Sequence, residues 1–513
     1  MRRTLAYIVV ALAALVSGCA SLPPLEGRSE TTAFADTRGT TLGQAIAVDV
    51  AAHPGKTGVH AFRDPRDAAA ARILLAATAE KSLDVQYYIW HGDEVGYLLF
   101  EALWQAAERG VRVRLLLDDL NTGGLDESIA ALDRHPNIEV RLYNPVMQRS
   151  ARLLNFVTDF TRVNHRMHNK SFTADNQATV VGGRNIGDEY FGAGSGVVFT
   201  DLDVLAVGAA VPEVSREFDL YWNSASAYPA AAFVGTAGPD ATEDLEAKFT
   251  ATRADRDSVA YLEAVRTTPL VRDIAEHRLA FEWTTATVVY DGPEKTLDTG
   301  DRTDILLFPE LMRRMGQPEM ALDLVSPYFV PGDAGTLALV ALAHRGVAVR
   351  VLTNSLSSSD EPSVHAGYAK RRRELLEAGV KLYELKATAV HHTASTFEFA
   401  SSSSSGLHAK TFAVDRRRIF VGSFNFDPRS ARINTEMGFV IDSPTFARQL
   451  AEYFDTTVPM VAYEVRLMPD GRSLEWIDRS TTGEFRYTTE PDTTWFLRMK
   501  IGILSILSID WLL

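Results

Sequence analysis

His168-Asn169-Lys170-Ser171-Phe172-Thr173-Ala174-Asp175 and His408-Ala409-Lys410-Thr411-Phe412-Ala413-Val414-Asp415 share the pattern H-x-K-x-x-x-x-D in the two halves of a 513-residue chain. Asn185 and Asn425 follow at the same interval after each histidine, inside Gly182-Gly183-Arg184-Asn185 and Gly422-Ser423-Phe424-Asn425. One such octapeptide carries little weight, but a pair with matched downstream asparagines is the mark of an internal duplication. Strand side chains alternate, so a histidine and lysine two apart project from one face toward a shared pocket. The glycines and serine that follow let the next turn approach that pocket closely.

The parallel continues outward from the motifs. Leu83-Asp84-Val85-Gln86-Tyr87-Tyr88 corresponds to Leu322-Asp323-Leu324-Val325-Ser326-Pro327. An Ala- and Leu-rich helical stretch then ends at Arg109-Gly110-Val111 in one half and Arg345-Gly346-Val347 in the other, with glycine as the stop. Alternating strands come next, at 111–115 and 347–351, then a further helix and short strands at 138–143 and 380–383. Strand and helix in alternation predict an α/β sheet with helices on its faces, present twice.

With 46% apolar and 23% charged residues the chain has the composition of a folded protein. Its net charge of −14 opposes broad phosphate neutralisation, so nucleic acid is not an expected partner. The single cysteine, Cys19, excludes an intramolecular disulfide and a thiolate metal cluster. It follows Arg2, Arg3, an apolar run at 5–16 and Ser17-Gly18. That run falls short of the roughly twenty residues needed to span a bilayer and reads as a secretion signal, residues 1–18. Its ending resembles the lipobox of bacterial lipoproteins, which implies acylation of Cys19 and anchoring by lipid on the periplasmic side of the cell envelope. Residues 19–56, rich in Pro, Thr, Ser and charge, are expected to be a tether.

The paired motifs resemble the duplicated HKD motifs of the phospholipase D superfamily, over about residues 86–442. Asp84-Val85-Gln86-Tyr87-Tyr88-Ile89-Trp90, Arg166-Met167-His168-Asn169-Lys170-Ser171-Phe172 and Gly422-Ser423-Phe424-Asn425-Phe426-Asp427-Pro428-Arg429-Ser430 are similar to segments of the C-type bacterial cardiolipin synthases. The resemblance implies two tandem phospholipase D-like domains, residues 57–224 and 302–465, each a mixed sheet flanked by helices, forming a pseudo-two-fold pair around one active site. Residues 225–301 are then an insertion, or a cap over the site, and 466–513 an extension.

The implied activity moves a phosphatidyl group from one membrane phospholipid to the hydroxyl of another. Phosphatidylglycerol is the acceptor, phosphatidylglycerol or phosphatidylethanolamine the donor, and cardiolipin the product; transfer to water, giving phosphatidic acid, is the rival reading. In the family pattern His168 attacks phosphorus to form a phosphohistidine. His408 protonates the leaving alcohol and then serves as base toward the incoming one. Lys170, Lys410, Asn185 and Asn425 would hold the phosphate oxygens, with no metal or cofactor required. The motif acids Asp175 and Asp415 count with the catalytic motifs but are expected to steady the following turn more than to touch substrate. The sequence does not specify an accessory protein.

Each histidine also needs an acceptor on its other ring nitrogen to set the reactive tautomer. Glu436, before the apolar run 437–441, and Asp201, before 204–207, align as that pair, with Asp203 as the alternative to Asp201. Tyr87, Tyr88 and Trp90 either line a lipid path or belong to the core, and Arg371-Arg372-Arg373 either meets head groups or forms a solvated face. The apolar C-terminal stretch from Trp495 is either an interfacial helix or docked on the protein.

Overall fold

The computed structural model describes residues 22–506 apart from 26–27, 63, 195–196, 277, 298–301, 388–404 and 482. Cys19, the signal segment and residues 507–513 lie outside the described residues.

Each half supplies one mixed sheet. In the first, the parallel strands Ser82–Ile89, Arg112–Asn121 and Ile138–Tyr143 adjoin the antiparallel strands Ser171–Ala174, Ala178–Gly182 and Asp203–Gly208. The second repeats this with Ala321–Val325, Ala348–Asn354 and Lys381–Leu385 beside Lys410–Val414, Arg418–Gly422 and Met437–Ile441. Parallel neighbours need a crossover connection. The helices Glu94–Glu108 and Gly332–His344 provide it, where the Ala- and Leu-rich stretches stand. The duplication extends to buried charge. Asp84 faces Arg114 across its strand pair and Asp323 faces Arg350 across the matching pair, at 2.7 and 2.6 Å.

The antiparallel parts of the two sheets pack against each other, Val181, Val204 and Ala206 sharing one core with Val421, Phe439 and Ile441. Both sheets point the same way. Thr284 pairs with Thr57 beside Gly208 at the far end of the first sheet, and two residues later Ala286 pairs with Ile441 at the far end of the second. The near ends, where the parallel strands finish and the motif histidines begin, therefore also adjoin.

Three sequence expectations about organisation change. Residues 225–301 are not a cap. The helices Ala241–Ala254, Arg256–Arg266 and Pro269–Ala275 pack on outer helices of the first half. Glu282–Thr284 extends the first sheet, and Ala286–Tyr290 opens the second. A connector rich in Pro, Gly and charge hides such short edge strands because little apolar alternation is needed at a sheet edge. The tether is shorter than residues 19–56, since Thr41–Ala52 is a helix and 28–40 is laid along the first half. The second sheet runs past residue 465, through Ala462–Leu467, Leu474–Ser480 and Gly483–Tyr487.

The motif aspartates sit at the far ends of their strands, away from the histidines. Asp175 and Asp415 adopt left-handed backbone angles, φ 52° and 53°, and turn each chain toward its next strand. The Asp175 carboxylate accepts the N–H groups of Glu80, Lys81 and Ser82 at 3.0, 2.7 and 2.9 Å. Asp415 repeats this with Glu319, Met320 and Ala321 at 3.1, 2.7 and 3.0 Å. Their place in the motif is structural, and they leave the catalytic set. Asp175→Ala should cost about 2–4 kcal/mol, because three N–H groups lose a charged acceptor. The transfer rate per folded molecule should hold; denaturant midpoint and specific activity, measured together, check both.

Candidate active site

The approach to each histidine is stitched to the opposite half. Met167 and Thr435 form a parallel bridge. The His168 N–H donates to the Thr435 carbonyl and the Thr435 N–H to the Arg166 carbonyl, both at 2.9 Å. In the mirror arrangement Ser405–Leu407 pairs with Val198–Thr200, and the N–H groups of His408 and Ala409 donate to the Thr200 carbonyl at 2.8 and 2.9 Å.

The residue after each of these threonines is the acid. Glu436 Oε2 therefore lies 2.7 Å from His168 Nδ1, and Asp201 Oδ2 lies 2.5 Å from His408 Nδ1. The acids expected from the sequence are the ones that meet the rings, but each serves the histidine of the other half. Asp203 is committed elsewhere, its Oδ2 paired with Arg72 at 2.7 Å. With Nδ1 held by a carboxylate, each ring keeps Nε2 for chemistry. Gly183 makes room for this, since a Cβ there would fall 2.2 Å from Asp201 Oδ1.

The lysines close over the histidine backbones. Lys170 Nζ donates to the His168 carbonyl at 2.6 Å and lies 5.3 Å from the centre of the Tyr88 ring. Lys410 Nζ donates to the His408 carbonyl and sits 2.9 Å from His408 Nδ1. Aromatic rings flank both histidines: Tyr88 meets His168 edge-on at 4.9 Å, Tyr190 meets His408 edge-on at 5.1 Å, and Phe199 lies tilted over His408 at 5.4 Å. Tyr88 thus belongs to the site, whereas Tyr87 and Trp90 are buried in the core.

Asn185 and Asn425 were expected to bind phosphate. Asn185 accepts the Ile89 N–H at 3.2 Å and donates to the Tyr190 hydroxyl at 3.1 Å, so it holds a ring that holds His408. The Asn425 amide oxygen is buried with no hydrogen-bond partner among the described residues.

Burial lowers the proton affinity of all four motif groups. His168 is driven well below the usual imidazole range by burial and then by the charges of Lys170 and Lys410. His408 is lowered by the same causes, but Asp201 opposes the shift. Lys170 is depressed well below the normal lysine range by burial, and Lys410 to about 8. The charges of both lysines bear on both histidines. The acids diverge. Burial raises Glu436 to about 7 despite Lys170, whereas Asp201, which burial would also raise, is brought to about 2 by His408, Lys410 and Arg184.

Sequence reasoning missed the support beneath Glu436. Its oxygens accept the hydroxyls of Ser423 and Ser430 at 2.5 and 2.7 Å, and its N–H donates to Asp291 at 2.8 Å. Asp291, in the connector, is itself paired with Lys295 at 2.9 Å. Both serines stand in the quoted segment of the second half, Gly422 to Ser430, with no serine at the matching positions of the first; Asp291 lies in a segment with no repeat to mark it. A second buried network steadies the x of H-x-K. Asn169 and Gln86 each donate to Glu217 at 2.6 Å, Thr435 donates to Asn169 at 3.0 Å, and burial raises Glu217 to about 8. The arginine cluster divides: Arg372 is buried between Glu384 and Glu490, at 2.9 and 2.7 Å, whereas Arg373 lies on the solvated face, paired with Glu377 at 2.7 Å.

Comparison with known proteins agrees with this architecture. The family model "Cardiolipin synthase, PLD-like domain" matches residues 73–222 and 311–458, one match per half. Cardiolipin synthase C of Escherichia coli K12 is 43% identical over 475 residues, covering 92% of this chain and 99% of that protein. The major cardiolipin synthase of Bacillus subtilis 168 is 26% identical over 398 residues, covering 77% and 68%. Among solved structures, phosphatidylserine synthase of Haemophilus influenzae aligns over 83% of this chain and 91% of its own, with a TM-score of 0.52 at 13% identity, a likeness of fold. With its histidine motif repeated in two interlocked halves, the chain belongs to the cardiolipin synthase family of phospholipase D-like proteins.

Proposed function

We propose that the protein is a phosphatidyltransferase that makes cardiolipin from two phospholipids, with phosphatidylglycerol as acceptor and phosphatidylglycerol or phosphatidylethanolamine as donor. The observation that carries this is the pair of histidines, each with Nδ1 on a carboxylate of the opposite half, in a chain 43% identical to cardiolipin synthase C along nearly its whole length.

The unequal acids support unequal roles. Glu436, raised to about 7, holds its negative charge beside His168 less firmly than Asp201 does beside His408, and His168, driven well below the imidazole range, stays neutral with Nδ1–H on Glu436 and a lone pair on Nε2, as a nucleophile must. Asp201, fully ionised, favours a proton on His408, as a general acid needs. In this reading Nε2 of His168 attacks the donor phosphorus, His408 protonates the departing alcohol oxygen, and a phosphohistidine remains. His408, now neutral, takes the proton of the acceptor hydroxyl as that oxygen attacks phosphorus and releases His168. Lys170 and Lys410 neutralise the non-bridging oxygens throughout. Asn425, with its buried amide, joins them; Asn185 contributes through Tyr190.

Among the described residues no helix is long and apolar enough to cross a membrane. The reading includes acylation of Cys19, on the lipobox-like ending of the N-terminal apolar run, which would hold the enzyme on the periplasmic side beside its lipid substrates and raise their effective concentration.

Cells lacking other cardiolipin synthases and expressing this chain should gain cardiolipin, and cells expressing His168→Ala should not. A rise in phosphatidic acid instead would make it a hydrolase. The pH profile has a defined sign. Lys410 carries its proton below about 8 and loses it above, so the rate should fall on the alkaline side through that value. Lys410→Arg, which stays charged, should move that limb upward; kcat/KM against pH checks it.

A further inference from the structure

Three surface features gather at the end of the molecule where the catalytic histidines open. The first is the route of the N-terminal segment. It begins at the far end, where Gln177 donates to the Thr37 hydroxyl and Asn176 to the Phe34 carbonyl. It then climbs past Asp219, which accepts the Ala33 N–H at 2.9 Å, to Arg28. The Arg28 guanidinium is clamped by the carbonyls of Asn223 and Ala227, at 3.0 and 3.2 Å. Ala227 pairs with Tyr143, the last residue of a parallel strand, so the chain stands at the histidine end where Arg28 is held. Arg28 stands nine residues beyond Cys19. Nine extended residues reach at most about 30 Å.

The second feature is the segment leading into the first motif. Leu154, Val157 and Phe160 are exposed, Val157 by 76%, on short helical turns, Arg152–Leu154, Asn155–Thr158 and Phe160–Val163, that follow Ile138–Tyr143 at this same end. Arg429 binds the far end of that segment through Asn164 at 2.7 Å and acts on the charge state of His168, which fixes the segment beside the pocket. The third is the helix Trp495–Ile506. Its inner face, Leu497, Ile501 and Leu504, docks on Leu356 and Ala366, just beyond the finishing end of Ala348–Asn354. Its outer face presents Trp495, Phe496, Met499 and Ile503, with Phe496 exposed by 70%. The stretch is docked on the protein and still keeps an exposed apolar face.

Single exposed apolar residues are ordinary, but clusters on the rim of a site call for a partner. We propose that this end is the face the protein lays on a lipid bilayer, with Leu154, Val157 and Phe160 on one flank and Trp495, Phe496, Met499 and Ile503 on the other entering the interface. The inference rests on the reading that the substrates are membrane phospholipids, and it adds the orientation. The bilayer is favoured over a protein partner because Arg28, nine residues from the cysteine read as lipidated, is held at the same end. A Trp and Phe face with Lys500 beside it is also the makeup of an interfacial helix. A donor phosphate could then meet His168 without its acyl chains leaving the membrane.

The test uses the full-length chain in phosphatidylethanolamine and phosphatidylglycerol vesicles whose acyl chains carry bromine. Val157→Cys, Phe496→Cys and, at the far end, Arg417→Cys each receive an environment-sensitive fluorophore, with the unsubstituted chain as the blank for Cys19. Labels at 157 and 496 should lose most of their emission to bromine about 5–10 Å below the surface, and the label at 417 should lose none. Labels at 157 and 496 that behave like the one at 417 would overturn the proposal. So would labels shielded from an aqueous quencher yet out of reach of bromine, since a protein would then cover the face. Cardiolipin formation is read in the same vesicles. Quenching without product would leave the docking face standing and remove the transferase reading; product without quenching would do the reverse.

Discussion

The crossed hydrogen bond between each catalytic histidine and a carboxylate of the other half is the constraint on which the rest of the structure depends. His168 takes its acid from Glu436 and His408 from Asp201, so neither half holds an oriented histidine alone. A buried imidazole without an acceptor has no fixed tautomer, and a buried carboxylate without donors is costly. Each half removes that cost for the other. The backbone bridges through Thr435 and Thr200 place the acids one residue from strands that are themselves paired across the interface.

Much else follows from keeping those two contacts in register. The sheets must end together, so the antiparallel strands share one apolar core and the connector rises from the far end to the near end between them. It delivers Asp291 to the Glu436 backbone and Lys295 to Asp291. The motif aspartates pin the far ends by gathering three N–H groups each, which ties the end of every motif strand to the start of the parallel strand beside it. Burial at the near end depresses both lysines and both histidines, a state that an incoming phosphodiester anion would relieve.

The duplicated α/β architecture and the site residues were legible because duplication writes the same signal twice. His168 and His408, Lys170 and Lys410, and the acids Asp201 and Glu436 all stand at matched positions. What could not be read was pairing across the interface. Asp201 and Glu436 were identified by their place in each half, and only the three-dimensional stitching of Met167 to Thr435 shows that they change partners. Features outside the repeat were hidden for the same reason. The docked segment 28–40 is held by polar contacts to Asp219 and Asn223, which leave no apolar period to read. Asp291 has no counterpart in the other half to mark it. Asn185 was misjudged in its immediate role, since its interval from His168 says that it is near the site and not which group its amide meets.

The assignment of unequal roles to two nearly symmetric histidines can be tested by trapping the covalent intermediate. The enzyme would be mixed with a donor phospholipid labelled in its phosphate, quenched within a turnover, and digested to locate the label. Label on His168, lost in His168→Ala and formed slowly but not passed on in His408→Ala, is the result predicted from the neutral His168 held by Glu436 and the ionised Asp201 that supports His408. Label on His408, or full turnover with no phosphohistidine at either position, would contradict it.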